Sequence, residues 1–566
     1  MKQSIRMIWS AAITAIVGAL IYYIVLPPVN VFSQGFWVFL TVLAVIFGVV
    51  YFLTGAKGNA AKLMRGVHPN FKKDKGEKKE KSKTGKIIIA VAALPIVVLL
   101  FGNLTSATIF NAKAYSDIIT VENAVFEEDM PETDLVSNIA LMDSESAAIL
   151  GKRALGELAN ADLESQFQIG ETYSQINLGN APAKVGNLEY ADFFRWVNNR
   201  DSGVPGYVWV DPVDSNYKYV TFEEPIKYVE SAYFSEDLNR QLRFSHPTKI
   251  FGGINFEVDE EGNPYYIVSC MEPKIGLFGA MDVSEVIIFN PVDGTSELYS
   301  VENTPSWVDN VYDGYLASQK YDWYGTLKQG FWNSVIGKKN CKVTTDDFGY
   351  IVRDDDVWYF TGVTSVSSDE SNIGFILSNA RTGEYKFYQV IGAEEYSAMG
   401  AAEGEVQEKG YVASFPSLIN VSGEATYIMV LKDANGIVKL HALVNVENYS
   451  IVATGTTQAD AKQAYIQLLL SEGVIEEAPI KPEEPTPEKE LKTVEKLRID
   501  TIQIVTVEGE SVVYLKCSDG NLYKKQISED ERVLLLTEGS EWSFDYYETD
   551  VEQIRELVSW SEIKGE

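Results

Sequence analysis

Three uncharged apolar runs occupy much of the first 110 residues, and a bilayer is the solvent that such runs call for. Met7 to Leu26 is the first, Phe36 to Leu53 the second, and Ile87 to about Phe110 the third, with Pro95 inside it. Each is near the roughly 20 residues that carry a helix across a hydrocarbon core, where every backbone polar group must be satisfied within the segment. A proline inside such a helix kinks it and need not end the span. The first run has the length of a signal peptide, but no small-residue cleavage pattern follows it and a second span comes soon after, so the sequence predicts that it is kept. No ionisable side chain falls within the runs, which leaves an ion or proton path through them without support.

Charge sets the orientation. Residues 1–86 hold 13 Lys and Arg against 3 acids, a net +10, so the remaining residues carry −42 of the formal total of −32. The basic positions gather in a loop over 55–86, above all in Lys72 to Lys86, and the positive-inside rule keeps such a loop cytoplasmic. Met1 to Arg6 is then also inside, and three crossings put the acidic bulk of the chain outside. The basic loop reads first as a topology determinant, with docking to anionic lipid or nucleic acid as the alternative. An acidic bulk of this size repels phosphate and argues against a nucleic-acid partner.

Beyond the spans one pattern recurs. Ile373 to Val390 places two strand-like runs on either side of Asn379-Ala-Arg-Thr-Gly383, a hairpin in which Gly383 supplies a positive φ and Asn379 bonds its own turn. Tyr207 to Val220, Glu285 to Val301 and His441 to Gly455 repeat the pattern, with Asp211, Asn290 and Asn445 in the asparagine's place. Each copy follows a further pair of strand-like segments, and helical periodicity stands at Ser144 to Asn160, Ser235 to Leu242, Ala393 to Gln407 and Thr457 to Ser471. About four units of one helix and four antiparallel strands are predicted over 111–473.

Hairpins of this form, best seen in Asn290 to Leu298 and Asn379 to Tyr385, resemble PepSY and related cystatin-like α+β modules. The whole layout resembles membrane-anchored envelope proteins of Gram-positive bacteria that have no assigned role. The resemblance implies an extracytoplasmic location and a part in regulating proteases or binding partners.

The third unit departs from its siblings in an aromatic stretch from Trp307 to Ile336. Trp307, Trp323, Tyr324 and Trp332 are its candidate binding residues, since exposed Trp and Tyr anchor glycans and partner proteins well. The competing reading packs these rings into a neighbouring unit. Asp354-Asp-Asp356 and Asp259-Glu-Glu261 are acidic turns without the ligand spacing of an EF-hand, so no metal is assigned. Cys270, Cys341 and Cys517 are too few for a disulfide scaffold and read as buried thiols, and no His/Cys cluster has metal-ligand spacing. The motifs GxSxG, HExxH and SxxK and a Cys paired with His find no convincing match, so no catalytic residue and no cofactor is assigned.

Residues 474–495 are rich in Pro, Glu and Lys and read as an extended linker. Short alternating strands over 496–566, at 497–507, 511–517, 522–527, 533–536 and 542–547 with a final segment at 551–560, suggest a small barrel of OB or SH3 type. The expectation is thus a multi-domain membrane protein: a 1–110 region of three transmembrane helices, tandem α+β antiparallel-sheet repeats, and a C-terminal β-barrel. The expected function is a non-catalytic cell-membrane protein presenting PepSY-like modules to an envelope protein or wall polymer. The alternatives are an extracytoplasmic hydrolase and a sensor.

Overall fold

The computed structural model describes residues 3–64, 83–130, 132–133, 141–142, 144–156, 161–170, 173–179, 181–213, 216–345, 347–353, 356–366, 371–476, 492–507, 510–527, 530–548 and 553–562. It divides into two compact units, Met1–Ala478 and Pro479–Glu566.

The first unit begins with α1 (Gln3–Val25) and α2 (Gln34–Met64), followed by α3 (Lys83–Ser106) and α4 (Thr108–Ser116). Within them Ser4–Val25 and Gln34–Thr54 are long and apolar enough to cross a membrane, with mean hydropathy 2.0 and 2.6. Gly18 lets α1 approach Leu43 of α2 with no room left for a side chain. The third apolar run behaves differently. Ala90–Ser106 and Thr108–Ser116 meet at a bend of 51°, so the run expected to continue to Phe110 turns at Ala107. Asn111 accounts for the bend: its Nδ2 donates to the carbonyls of Thr105 and Ala107, which a straight helix would bond through its own backbone. Two helices are therefore candidate spans, and a third crossing depends on the bent pair acting as one. Of the basic loop, 55–64 continue α2, 83–86 open α3, and 65–82 lie outside the described residues.

The helices that follow are α5 (Phe126–Asp129), α6 (Ser144–Gly156), α7 (Ala161–Gln166), α8 (Phe193–Asn199), α9 (Leu238–Ser245), α10 (Gly314–Leu327), α11 (Glu395–Glu405) and α12 (Gln458–Ser471). The cap of α9 is Asp237, whose carboxylate accepts from the Arg240 N–H; Ser235, which the sequence put at the start of that helix, lies in a preceding short turn.

Four antiparallel sheets form in chain order. The first holds Phe167–Ile169, Ser174–Leu178, Ala181–Tyr190, Val204–Val210 and Tyr217–Ile226. The second is a meander of Ile250–Val258, Pro264–Ile275, Gly279–Phe289 and Ser296–Ser300. The third is built on Gly349–Arg353, Asp356–Ser365, Ser371–Asn379 and Tyr385–Tyr388, and Val121–Ala124 from ahead of the sheets adds to Tyr385–Tyr388 in parallel. The fourth is built on Ser417–Val421, Glu424–Lys432, Val438–Asn445 and Val452–Gly455.

The same turn closes one hairpin in every sheet. The N–H groups of Asp211, Asn290, Asn379 and Asn445 donate across the turn to the carbonyls of Asn216, Thr295, Glu384 and Ile451, at 2.8, 2.9, 3.0 and 3.1 Å. Their side-chain oxygens accept from the N–H groups of Val213, Val292, Arg381 with Thr382, and Asn448. Gly294 and Gly383 take φ of +79° and +73°, as the turn demands.

The sheets pack face to face in pairs. Val185, Leu188, Tyr207 and Val208 of the first meet Phe256, Val268, Ile287 and Phe289 of the second. Trp358, Phe360 and Phe375 of the third meet Leu418, Tyr427 and Met429 of the fourth. Helices cover outer faces: Ala317 and Tyr321 of α10 lie over Val363 and Ile376, and Ala461, Tyr465 and Leu469 of α12 lie over Ile419, Ile428 and Leu443. Central strands are consequently buried on both faces, which is why Asp356–Ser365 and Glu424–Lys432 lack the apolar–polar alternation of a half-exposed strand.

The second unit is a closed five-stranded barrel of Lys492–Val507, Glu510–Cys517, Leu522–Gln526, Glu541–Glu548 and Ile554–Glu562. In barrel order these run first, second, third, fifth, fourth and back to the first, with the third and fifth parallel. The expected strand at 533–536 lies instead on a single 3₁₀ turn, Glu531–Leu535, and its exit. Asp530 caps that turn through the Arg532 N–H, and the three-residue spacing points Val533 and Leu536 inward while Leu534 and Leu535 face out. The last strand comes from the segment expected at 551–560. Lys492 to Glu495 belong to the first strand, and residues 477–491 of the expected linker lie outside the described residues.

Candidate functional site

The four aromatic candidates make separate ring contacts. Trp307 packs on Tyr265 with ring centres 4.9 Å apart, beside the Val308 and Val311 that cover the second sheet. Trp323 meets Tyr115 edge-on at 5.0 Å, next to Ile275, Ala280 and Leu327. Tyr324 lies 5.8 Å from Tyr321 and under the Lys328 ammonium. Trp332 remains 66% exposed, touching Phe331. Among the described residues no ring contact joins any two of the four.

The acidic turns have structural occupants. One oxygen of Asp259 accepts from the N–H groups of Glu261 and Asn263, and the other from Asn263 Nδ2. Asp356 accepts from Arg381 at 2.6 and 2.8 Å and from Asn379 Nδ2 at 2.8 Å, which locks the third hairpin turn to its own sheet. Asp354 and Asp355 lie outside the described residues. Among the described residues no three of His, Cys, Asp and Glu are grouped to hold a metal ion, and the three cysteines are free and buried.

Concavity is found elsewhere. A cleft of about 510 Å³ opens where the first sheet meets the fourth. Ser146, Ile149, Leu150 and Arg153 of α6 form one wall, and Pro212, Val213 and Tyr217 of the first hairpin form a second. Val430, Ile437, Val438 and His441 of the fourth sheet form the third, and Thr456 to Ala459 at the start of α12 form the floor. Local sequence explains each part. Thr457 and Asp460 make a reciprocal capping box, so α12 starts at the cleft with the Gln458 and Ala459 N–H groups ahead of its first turn of helical bonds. Gly436, at φ +73°, lets the turn after Lys432 close against Ile149 without a side chain in the way. The Lys432 ammonium, which does not line the cleft, donates to Ser146 Oγ of its wall at 3.3 Å, both side chains being buried.

Among the described residues, two polar groups in the lining have no hydrogen-bond partner. Gln458 Oε1 is buried with no hydrogen bond, and so is His441 Nδ1. Burial pushes the His441 imidazole below its ordinary pKa, which keeps it neutral near pH 7, with one nitrogen to donate and one to accept. An unsatisfied buried acceptor costs about 1–3 kcal/mol, a cost that a bound molecule with matching groups would remove. The cleft therefore offers apolar walls, two hydrogen-bonding side chains, helix-start N–H groups and the Arg153 guanidinium. That combination retains a molecule with an apolar body and a polar or anionic end.

Sequence reasoning missed this site. His441 is an isolated histidine inside a hairpin copy, Arg153 and Gln458 fall in segments of helical periodicity, and nothing local ties residues 142–153 to 430–459. No protein-family model matches the chain, and no curated protein matches it.

Proposed function

We propose that the chain is a non-catalytic, multi-pass membrane protein of the cell envelope, its acidic bulk outside the membrane, whose PepSY-like repeats bind a partner protein or wall polymer. The cleft carries this reading: its described lining holds binding groups and apolar walls and contains no carboxylate or thiol. Four hairpins closed by one turn chemistry support descent from a repeated module. The charge asymmetry about the spans supports the orientation, with α3 and α4 acting as one crossing. A Greek-key barrel whose third and fifth strands run parallel supports the OB type over the SH3 type, and with it a second polymer-binding module. The test is retention of wall fragments and envelope proteins on the purified full chain in detergent. Saturable binding that is lost in Val438→Trp, which fills the cleft, supports the proposal; binding indifferent to that change removes the cleft from it.

One observation favours the hydrolase alternative. Ser146 Oγ of the cleft wall lies 3.3 Å from Lys432 Nζ, the pairing by which a lysine activates a serine nucleophile once its amine is deprotonated. Turnover of wall or peptide substrates that disappears in both Ser146→Ala and Lys432→Met would replace the binding reading with this one.

A further inference from the structure

The ends of the spans are bolted to the first unit at two places, and these fix the level of the membrane surface on the protein. At the end of α1, the Val29 N–H donates to the Pro247 carbonyl at 2.7 Å and Asn30 Nδ2 to the Thr248 carbonyl at 2.8 Å. Arg243, buried in α9, donates to the Leu26 carbonyl at 2.9 Å, and Arg240 donates to the Tyr23 carbonyl with its guanidinium 4.2 Å above the Tyr23 ring. At the end of α3, the hairpin tip that links Pro264–Ile275 to Gly279–Phe289 is held by Ser106, whose Oγ accepts from the Phe278 N–H and whose carbonyl accepts from the Tyr115 hydroxyl.

Large apolar side chains stand bare beside both bolts. Phe244 of α9, 52% exposed, touches Tyr22 and Tyr23 of α1. Arg240 also donates to the carbonyl of Phe234, which is 58% exposed, and through Trp196 and Phe193 the patch continues to Phe194, 69% exposed. On the other side, Leu327 at the end of α10 packs with Ile275 and Tyr115 of the second bolt, so the segment after it starts at the level of the span exit. That segment carries Trp332, Val335 and Ile336, the last 74% exposed. Its charge is equally distinctive. Residues 323–345 contain Lys328, Lys338, Lys339 and Lys342 and no acid, in a region of the chain that is otherwise strongly acidic.

Aromatic rings at the level of a span end belong to the lipid interface, and lysines beside them are drawn to anionic headgroups. We infer that Phe194, Phe234 and Phe244 on one flank, and Trp332, Val335 and Ile336 with Lys338 and Lys339 on the other, are seated in the headgroup region of the bilayer that the chain's own spans cross. The first unit then lies against the membrane at two places and does not swing on its spans. This inference rests on the membrane reading of α1, α2 and the α3–α4 pair and is independent of what the cleft binds.

The test uses the full chain in nanodiscs containing anionic lipid, with single added cysteines carrying an environment-sensitive fluorophore; the native thiols are buried. Phe194→Cys and Ile336→Cys report the two flanks, Ile24→Cys the span end, and Tyr449→Cys a turn of the fourth sheet. The expected result is quenching of 194 and 336 by headgroup-depth lipid nitroxides and protection from aqueous acrylamide, as for 24 and opposite to 449. Labels at 194 and 336 that follow 449 while 24 follows the lipid would overturn the inference. Absence of lipid quenching at 24 would instead overturn the membrane reading beneath it. Protection at 336 that ignores the anionic lipid fraction would exclude the role given to Lys338 and Lys339.

Discussion

Glu257 and Asp129 are both acids at junctions between sheets, yet one is desolvated among N–H donors and the other sits among cations. Glu257, fully buried in the second sheet, accepts from the N–H groups of Asp309 and Asn310 and from Asn310 Nδ2, at 3.0, 2.9 and 2.9 Å. Asp309 in turn accepts from the Asn177 N–H, and Asn310 donates to the Gln175 carbonyl, so the same cluster reaches the first sheet. Asp129, at the end of α5, accepts from Arg353 at 2.8 and 3.0 Å, from Lys386 at 3.3 Å and from the Tyr388 hydroxyl. It ties the segment ahead of α6 to the third sheet, and Glu132 and the Met130 carbonyl extend that tie to Ser422 and Asn420 of the fourth. The difference shows that a carboxylate at a seam has no fixed electrostatic meaning. Burial raises the Glu257 pKa to about 7, whereas Arg353 and its hydrogen bonds hold Asp129 well below the ordinary carboxylate range.

The largest effect expected is that of Glu257→Ala. It strands three buried donors and opens a cavity, for a loss of about 4 kcal/mol, seen as a fall in the Tm of the full chain in detergent. A loss below about 1 kcal/mol would mean that water replaces the carboxylate and that the junction is not dry.

The pH dependence comes next. Glu257 and the buried Glu395, also raised to about 7, keep their protons when folded over a range in which unfolded glutamate, at 4.5, has released them. The folded chain binds more protons there, so this contribution is complete below pH 4.5 and is lost as the pH rises through 7. It amounts to at most about 3 kcal/mol for each group. Asp129 has the opposite sign: its contribution is present above 3.8, the ordinary aspartate value, and is lost as the pH falls below it. A Tm profile should therefore decline from pH 5 to 8 and also on the acid side of 4. Glu257→Gln should remove about half of the first limb, Glu395 keeping the rest, and Asp129→Asn should flatten the second; an exchange of these outcomes would refute the assignment.

Asp129→Ala at neutral pH should cost about 2 kcal/mol. That lies between an exposed and a buried pair, because Arg353 and Lys386 keep some access to water. A cost matching that of Glu257→Ala would erase the contrast between the two seams.

Neither seam was legible in the sequence, and the reason is physical. Glu257 stands in Gly-Ile-Asn-Phe-Glu-Val, where alternation would send it to solvent, but the second sheet is covered on both faces and Asp309 and Asn310 arrive from 52 residues onward or more. The cleft was hidden likewise, since Arg153 and His441 become neighbours only after the first and fourth sheets dock. What could be read was local: the apolar runs, the helical period of α12, most of the barrel strands and the four hairpin turns, each set by residues within a few positions of one another. The bend at Ala107 and the short helical turn at 531–535 escaped because side-chain bonds decide the backbone there, two donated by Asn111 at the bend and one accepted by Asp530 from the Arg532 N–H at the turn. The aromatic stretch signalled its own importance but not the separate fates of its rings, since the sheet that covers Trp307 is a different element from the helix that meets Trp323.

The turn of the second sheet supplies the smallest and sharpest test, because among the described residues its Asn290 satisfies a backbone group without a desolvated charge or an ion pair. The Asn290 side-chain oxygen accepts the Val292 N–H at a half-exposed turn, so Asn290→Ala should cost about 1 kcal/mol, and equally at pH 5 and pH 8. The chain already carries the informative control, since Asp211 fills the same place in the first hairpin and accepts from the Val213 N–H at 2.8 Å. Asn290→Asp should then keep nearly full stability at neutral pH and lose it only when acid protonates the new carboxylate. If Asn290→Asp instead destabilises as much as Asn290→Ala at pH 7, the amide nitrogen matters to the turn as well as the oxygen, and the first hairpin would differ in kind from the other three.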